Sequence, residues 1–290
     1  MDWNLLAEHI SQATAEPFEI QTHNAVGGGC INSAYRVQSK NKAYFVKLNN
    51  ANKLNMFEAE AAGLAELALA KAIRVPYVVC CGVNGSQSYI VMEHLSLSGR
   101  GSMQNFASQL EKLHRYSNSQ FGWHQDNTIG STLQKNQQSD NWLSFWNSQR
   151  LGFQLELARQ NGASKNLLTK GERIQADLAL FFQGYTPEIS LLHGDLWSGN
   201  VAFTDNGEPV IFDPATYYGD READIAMTEL FGGFSSDFYA HYSECWPLDD
   251  GYRMRKHLYN LYHILNHFNM FGGGYGAQAE GMCGQLLSEI

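Results

Sequence analysis

The sequence predicts an α+β fold in two lobes, a small β-rich lobe over residues 1–94 and a larger, mostly helical lobe over 95–290. Three observations carry that prediction. Short β-like runs crowd the N-terminal part around a single Ala/Leu/Glu-rich stretch. Helical periodicity dominates from Leu95 onward, and one β-like passage, residues 191–213, interrupts it.

In chain order, residues 2–15 place Trp3, Leu6 and Ile10 at helical spacing, so a helix opens the chain. β-like runs follow at 18–22, 34–38 and 43–48, with Gly27-Gly28-Gly29 between the first and the second. Residues 56–70 read as a helix. Runs at 77–81 and 88–93 are joined by the turn residues Asn84-Gly85. Helices are expected at 104–114, 142–160, 168–182 and 252–270. The polar stretch 124–140 has no period and reads as a long loop, a kind of segment that is often functional.

Composition narrows the function. A chain of 290 residues, 44% hydrophobic and 17% charged, is globular and long enough for a large core. Its net charge of −9 argues against nucleic acid and anionic membrane surfaces as partners and is compatible with a cationic substrate. Cys30, Cys80, Cys81, Cys245 and Cys283 show neither a disulfide framework nor zinc-ligand spacing, so a reducing, cytoplasmic compartment is expected. The opening residues MDWNLLAEHI are broken by polar side chains and do not read as a signal peptide. No run approaches about 18 apolar residues, so no membrane span is expected. The expected state is a monomer.

The chemistry concentrates in LLHGDLWSGNVAFTDNGEPVIFDP, residues 191–214. Asn206-Gly207 between two β-like runs, 201–204 and 209–212, is a strong hairpin signal. A turn centred on that pair would set Asn200 opposite Asp213 at the open end, one short loop from Asp195. Two carboxylates and an amide oxygen would then converge with no basic residue in the segment. That donor set suits Mg²⁺. Asp195 with Asn200 five residues on, then a second Asp, is also the catalytic-loop pattern of kinases. In it the first Asp accepts the proton of the attacking hydroxyl, while the Asn and second Asp hold the metal of MgATP. A polar hairpin with acidic turn residues is the bland alternative.

Supporting parts fit a protein-kinase-like arrangement. Lys47 stands inside the apolar run FVKL, where a lysine is costly unless paired. Glu58 and Glu60 are candidate partners, and Glu60 is preferred because it lies nearer the run expected to face the core. Gly27, Gly28 and Gly29, ahead of Lys47, could let backbone N–H groups approach phosphates; a plain flexible turn is the alternative. Glu93, His94 and Leu95 end the fifth β-run at the change of character, where the backbone of a kinase hinge meets adenine. Cys30 follows the glycines and has two readings, a small residue packed under the loop or a reactive thiolate. Asp224 is expected on a helix turned toward the catalytic loop. Trp142 and Trp146 are expected in the core, with a sugar platform as the alternative. His263 and His267 fall opposite the stripe Leu258, Leu261, Leu265 and Phe268, and a solvated face is expected for both.

HGDLWSGN, IFDPA, VGGGCIN, FVKLN and FEAEAAGL together resemble the fructosamine kinase, or ketosamine kinase, family. The resemblance continues through FGWHQDNTIG, QKN, NWLSFWNSQRL and YYGDREADIAMTELFGGF, nearly the whole chain. The HGD-x-x-x-x-N element is shared with aminoglycoside phosphotransferases and choline kinases; the Trp197-Ser198-Gly199 filling and GGGCIN point to the ketosamine group. Pro214 follows Asp213 where protein kinases have DFG. The resemblance implies ATP-dependent phosphorylation of a sugar hydroxyl on a ketosamine, free or protein-bound. It implies Asp195 as base, Asn200 and Asp213 as Mg²⁺ ligands, Lys47 and Glu60 as the nucleotide pair, and Trp197 near the sugar. It also implies redox control through Cys30; an oxidised loop cysteine could then bridge two chains. A kinase of another small alcohol, such as an aminoglycoside or choline, is the competing reading. A dead nucleotide-binding module is the third, and intact Lys47, Asp195, Asn200 and Asp213 argue against it.

Overall fold

Side-chain alternation across one sheet organises the first lobe in the computed structural model, which describes residues 1–27, 31–97 and 99–290. Gly28, Gly29 and Cys30 lie outside the described residues, and so do the phosphate-cradle and redox readings placed on them. The chain divides into two compact units, Met1–Gly101 with Ala202–Asp213, and Ser102–Val201 with Pro214–Ile290.

In the first unit the helix Trp3–Thr14 (α1) starts at Asp2, whose carboxylate accepts from the N–H groups of Asn4 and Leu5. The strands are Thr22–Val26 (β1), Ser33–Gln38 (β2), Ala43–Asn50 (β3), Val78–Asn84 (β4) and Gln87–Glu93 (β5). The helix Leu54–Leu69 (α2) lies between β3 and β4 in sequence. The strands form one antiparallel sheet in the order β1-β2-β3-β5-β4. A strand shows alternate residues to opposite faces. Tyr44, Val46 and Leu48 therefore pack with Leu6 and Ile10 of α1, while Phe45 packs with Phe57 and Leu64 of α2. Lys47 has the parity of Phe45, and that parity turns its side chain to the α2 face.

The strand expected at 18–22 begins only at Thr22. Phe18 and Ile20 alternate as in a strand but serve a connector that packs on α1. The Phe18 N–H is spent on Ser11 Oγ at 2.9 Å instead of on a ladder.

The hairpin strands are Val201–Phe203 and Pro209–Ile211. Gly207 N donates to Thr204 O at 2.8 Å, and Thr204 N to Glu208 O at 2.9 Å. Gly207 has φ +77°. The turn is thus a three-residue loop closed by a left-handed glycine, not a two-residue turn. The register moves by one residue, and neither Asn200 nor Asp213 lies within the ladder. Strand register therefore does not carry the expected Asn200–Asp213 pairing.

The second unit is mostly helical, with its core around the helix Tyr252–Phe271. Every residue from Leu258 to Asn266 is buried there. His263 is only 5% exposed, against the solvated face expected for it. An amphipathic stripe predicts a wet side only where one face packs, and this helix packs all round at that level. Trp142 and Trp146 are core residues, as expected. Their helix is not continuous: Trp142–Phe145 is α-helical, Trp146–Leu151 is π-helical and Gly152–Gln160 is α-helical again. The 124–140 stretch contains a small antiparallel hairpin, Asn127–Ile129 with Thr132–Gln134. Strands Ser190–Leu192 and Tyr217–Gly219 pair antiparallel and lead into and out of the residues of interest. Among the described residues, no helix is long and apolar enough to cross a membrane.

Candidate active site

The side chains singled out by the sequence fall into two groups, one in each unit. In the first, Lys47 reaches from β3 to α2, and its Nζ donates to Glu60 Oε1 at 2.6 Å. It also donates to Asp213 Oδ1. Lys47 is 6% exposed. Glu58, one of the two sequence candidates, is exposed on the other side of α2, so helix phase selects Glu60. Burial works to lower the Lys47 pKa, but the charges of Glu60 and Asp213 override it and raise the pKa. Burial also pushes Glu60 up, partly offset by Lys47. The two partners thus pull in opposite senses. The 2.6 Å contact supports the ion-paired form, ammonium with carboxylate.

Asp213 ends the first unit with φ +58°, a left-handed conformation unusual for a residue with a Cβ. Such strain costs about 1–3 kcal/mol and gathers at functional sites. Its side chain is 47% exposed, so a carboxylate already bonded to Lys47 still faces solvent.

Glu93, expected at the hinge, uses its carboxylate on Arg74 Nη2 and Tyr77 N, each at 2.8 Å. Its own N–H donates to Tyr77 O at 2.9 Å. That backbone donor is therefore occupied within the unit. Burial, then Arg36, lowers the His94 pKa. Gly27 follows β1, and a Cβ there would meet no atom of the described residues within 4 Å.

In the second unit, Ser190–Leu192 runs into His193-Gly194-Asp195. Gly194 has φ +81°, and a Cβ on it would stand 2.0 Å from Ala215 O. Conformation and space both demand glycine. Asp224, in the first turn of the helix Glu222–Leu230, accepts from His193 N at 2.7 Å and Gly194 N at 2.9 Å. The sequence expectation for Asp224 holds. Burial would raise its pKa, but the hydrogen bond and charge of His114 and the loop N–H lower it on balance. His114 itself is fully buried, with Nε2 at 3.3 Å from Asp224 and Nδ1 at 2.7 Å from Tyr242 Oη. No motif in the sequence pointed to His114.

Asn200 donates Nδ2 to Asp195 O at 2.8 Å and to Asp195 Oδ2 at 3.2 Å. The amide nitrogen thus fixes the Asp195 carboxylate and turns the Asn200 oxygen the other way. An amide oxygen on Asn200 and a solvent-facing carboxylate on Asp213 are hard donors of the kind Mg²⁺ takes beside nucleotide phosphates. Trp197 is 37% exposed, and its ring covers Gly199, where a Cβ would come within 2.3 Å. Phe231 packs on it edge-on, with ring centres 6.3 Å apart. Cys80 and Cys81 sit in β4, and burial pushes their thiols up to about 11 and about 12, which fits packing rather than reactivity.

A family model described as fructosamine kinase matches residues 2–289. A probable ketoamine kinase of Synechocystis sp. is 48% identical over 293 residues, covering 98% of this chain and 97% of the relative. The chloroplastic protein-ribulosamine 3-kinase of Arabidopsis thaliana is 42% identical over 273 residues, covering 93% and 83%. The crystal structure of a candidate fructosamine-3-kinase from Haemophilus somnus 129PT superposes with a TM-score of 0.89 at 29% identity, covering 97% and 96%.

Proposed function

The chain belongs to the fructosamine kinase family, and from that premise we propose that it moves the γ-phosphoryl group of ATP onto a sugar hydroxyl of a ketosamine. The observation that carries the reading is the buried Lys47, bonded to both Glu60 and Asp213. Phosphoryl-transfer sites of this fold need that lysine charged and held by a helix glutamate. In the proposed reaction Lys47 binds the α- and β-phosphates, and Glu60 holds it in place. Asn200 and Asp213 would hold Mg²⁺, which supplies charge neutralisation at the phosphates. Asp195 orients the acceptor hydroxyl and takes its proton as the new O–P bond forms and ADP leaves. Trp197 offers a ring face to the sugar. Glu93, His94 and Leu95 would present hinge backbone to adenine.

By likeness to the Arabidopsis ribulosamine 3-kinase and the candidate Haemophilus fructosamine-3-kinase structure, the proposed acceptor is the 3-hydroxyl of a ribulosamine or fructosamine. The scattered cysteines support a reducing, cytoplasmic setting for a monomer. An oxidised Cys30 bridge is the one route to a dimer that the loop sequence suggests. ATP consumption against ribulosyl-lysine, fructosyl-lysine, an aminoglycoside and choline, each with and without Mg²⁺, tests the reading. Turnover should need both a ketosamine and the metal. Turnover on the aminoglycoside or choline alone would transfer the assignment to that substrate.

A further inference from the structure

The 124–140 stretch and the π-helical turn are joined by a buried, directional hydrogen-bond relay within the second unit. Arg150, on that turn, is fully buried, with its guanidinium 4.0 Å from the ring centre of Tyr217 and 4.7 Å from that of Phe145. An arginine only donates. It donates to Lys135 O and, at 2.7 Å, to Asn136 Oδ1. That contact turns the Asn136 amide, whose Nδ2 donates to Gln125 O at 3.1 Å and Asn127 Oδ1 at 2.9 Å. Asn127 passes its own Nδ2 to Thr216 O at 2.8 Å. Gln134 accepts from Tyr262 Oη at 2.7 Å and donates Nε2 to Asn127 Oδ1 at 2.8 Å and Ala215 O at 2.9 Å.

The relay therefore ends on two successive peptide carbonyls, Ala215 and Thr216. Ala215 is also the residue against which the catalytic turn rests. Its N–H donates to His193 O at 2.9 Å, and its carbonyl lies where a Gly194 Cβ would be. A buried cation and three buried amides are a costly way to fill space, since apolar residues of like volume often serve stability equally well. Such a network does set one orientation for every member.

We propose that Arg150, Asn136, Asn127 and Gln134 are positioning residues that fix the carbonyls of Ala215 and Thr216 and, through Ala215, the Asp195 carboxylate. The inference rests on the reading of Asp195 as base. Gln134→Glu tests it at constant shape. Ionised, the new side chain has no proton to give to two facing oxygens; protonated, it has one. Burial among acceptors raises such a carboxyl pKa. The ratio of variant to wild-type kcat should therefore fall about tenfold or more between about pH 6 and about pH 8.5, with KM for ATP within about twofold of wild type. Thermal melts at each pH should show both proteins folded at the assay temperature. A flat ratio near one overturns the relay. If Gln134→Glu does not fold, Asn136→Asp replaces it. This change adds a carboxylate beside Arg150 and deletes the donor to both Gln125 O and Asn127 Oδ1, so kcat should fall in protein that a thermal melt shows folded at the assay temperature. Unchanged kcat in Asn136→Asp overturns the relay as well. Asp195→Asn is assayed in parallel. Loss there with a flat Gln134→Glu ratio sinks the relay alone, whereas wild-type turnover in Asp195→Asn removes the base assignment and the relay with it.

Discussion

At the scale of single residues, the proposed roles divide between phosphate binding and acceptor binding. Asp195 is in the second class, and its carboxylate is held by Asn200 Nδ2. Asp195→Asn should cut kcat by about 10²–10⁴-fold and leave ATP affinity intact, as steady-state kinetics with a nucleotide-binding titration would show. A rate within about tenfold of wild type would contradict the assignment. Asp213→Ala should abolish the magnesium-dependent part of nucleotide binding in calorimetry, because a lone Asn200 amide oxygen holds a divalent ion poorly. Equal affinity in the variant would remove Asp213 from the metal site. The legible part of this chemistry was the part written as charged residues in unlikely places, a lysine in an apolar strand and acids around a hairpin. His114 and Arg150 went unread because a lone buried His or Arg carries no mark of burial in the sequence. What identifies them is the partner brought from more than a hundred positions away in the first case, Asp224, and the ring faces of Tyr217 in the second.

Elements place those residues, and their errors of reading have local causes. The α2 helix presents Glu60 because Phe57 and Leu64 bury the adjoining face against β5. Phe57 is fully buried, so Phe57→Ala should cost about 3–5 kcal/mol in a denaturant titration. A cost under about 1 kcal/mol would mean that the sheet–helix packing is not the support for Glu60. The runs of β3 and β5 were read well because both faces of these strands pack, Tyr89 and Val91 toward α1 and Ile90 and Met92 toward α2, which leaves near-continuous apolar stretches. Alternation misplaced β1 because Phe18 and Ile20 alternate while packing on a helix. The 201–211 hairpin was legible as a hairpin, but Asn-Gly permits both a two-residue and a three-residue turn, and the choice moves the register. The π-helical turn at 146–151 left no signal in the helical spacing of 142–160.

For the whole molecule, the division into a β-rich and a helical part followed from where the periodicity changes. That residues 202–213 group with the N-terminal unit did not, because it depends on contacts such as Ile211 N with Arg74 O at 3.0 Å. Global stability should also carry the mark of the buried helix 252–271. Burial, then His267, pushes His263 down to about 3, while an unfolded histidine titrates near pH 6.5. The unfolded chain thus binds a proton that the native chain refuses between those values. Stability is full above about pH 6.5 and falls as the pH drops, by on the order of 2 kcal/mol at pH 5 from this group. The difference between wild type and His263→Gln isolates it, because other titrations cancel. Identical slopes in the two proteins would mean that His263 is charged when folded.

Phosphoryl transfer from ATP to a ketosamine hydroxyl can be followed directly by ³¹P NMR. With MgATP and ribulosyl-lysine or fructosyl-lysine, the γ-phosphate signal should disappear as a sugar phosphate monoester signal grows in step with ADP. ADP accompanied only by inorganic phosphate, or no loss of ATP with any ketosamine while the protein remains folded, would contradict the account.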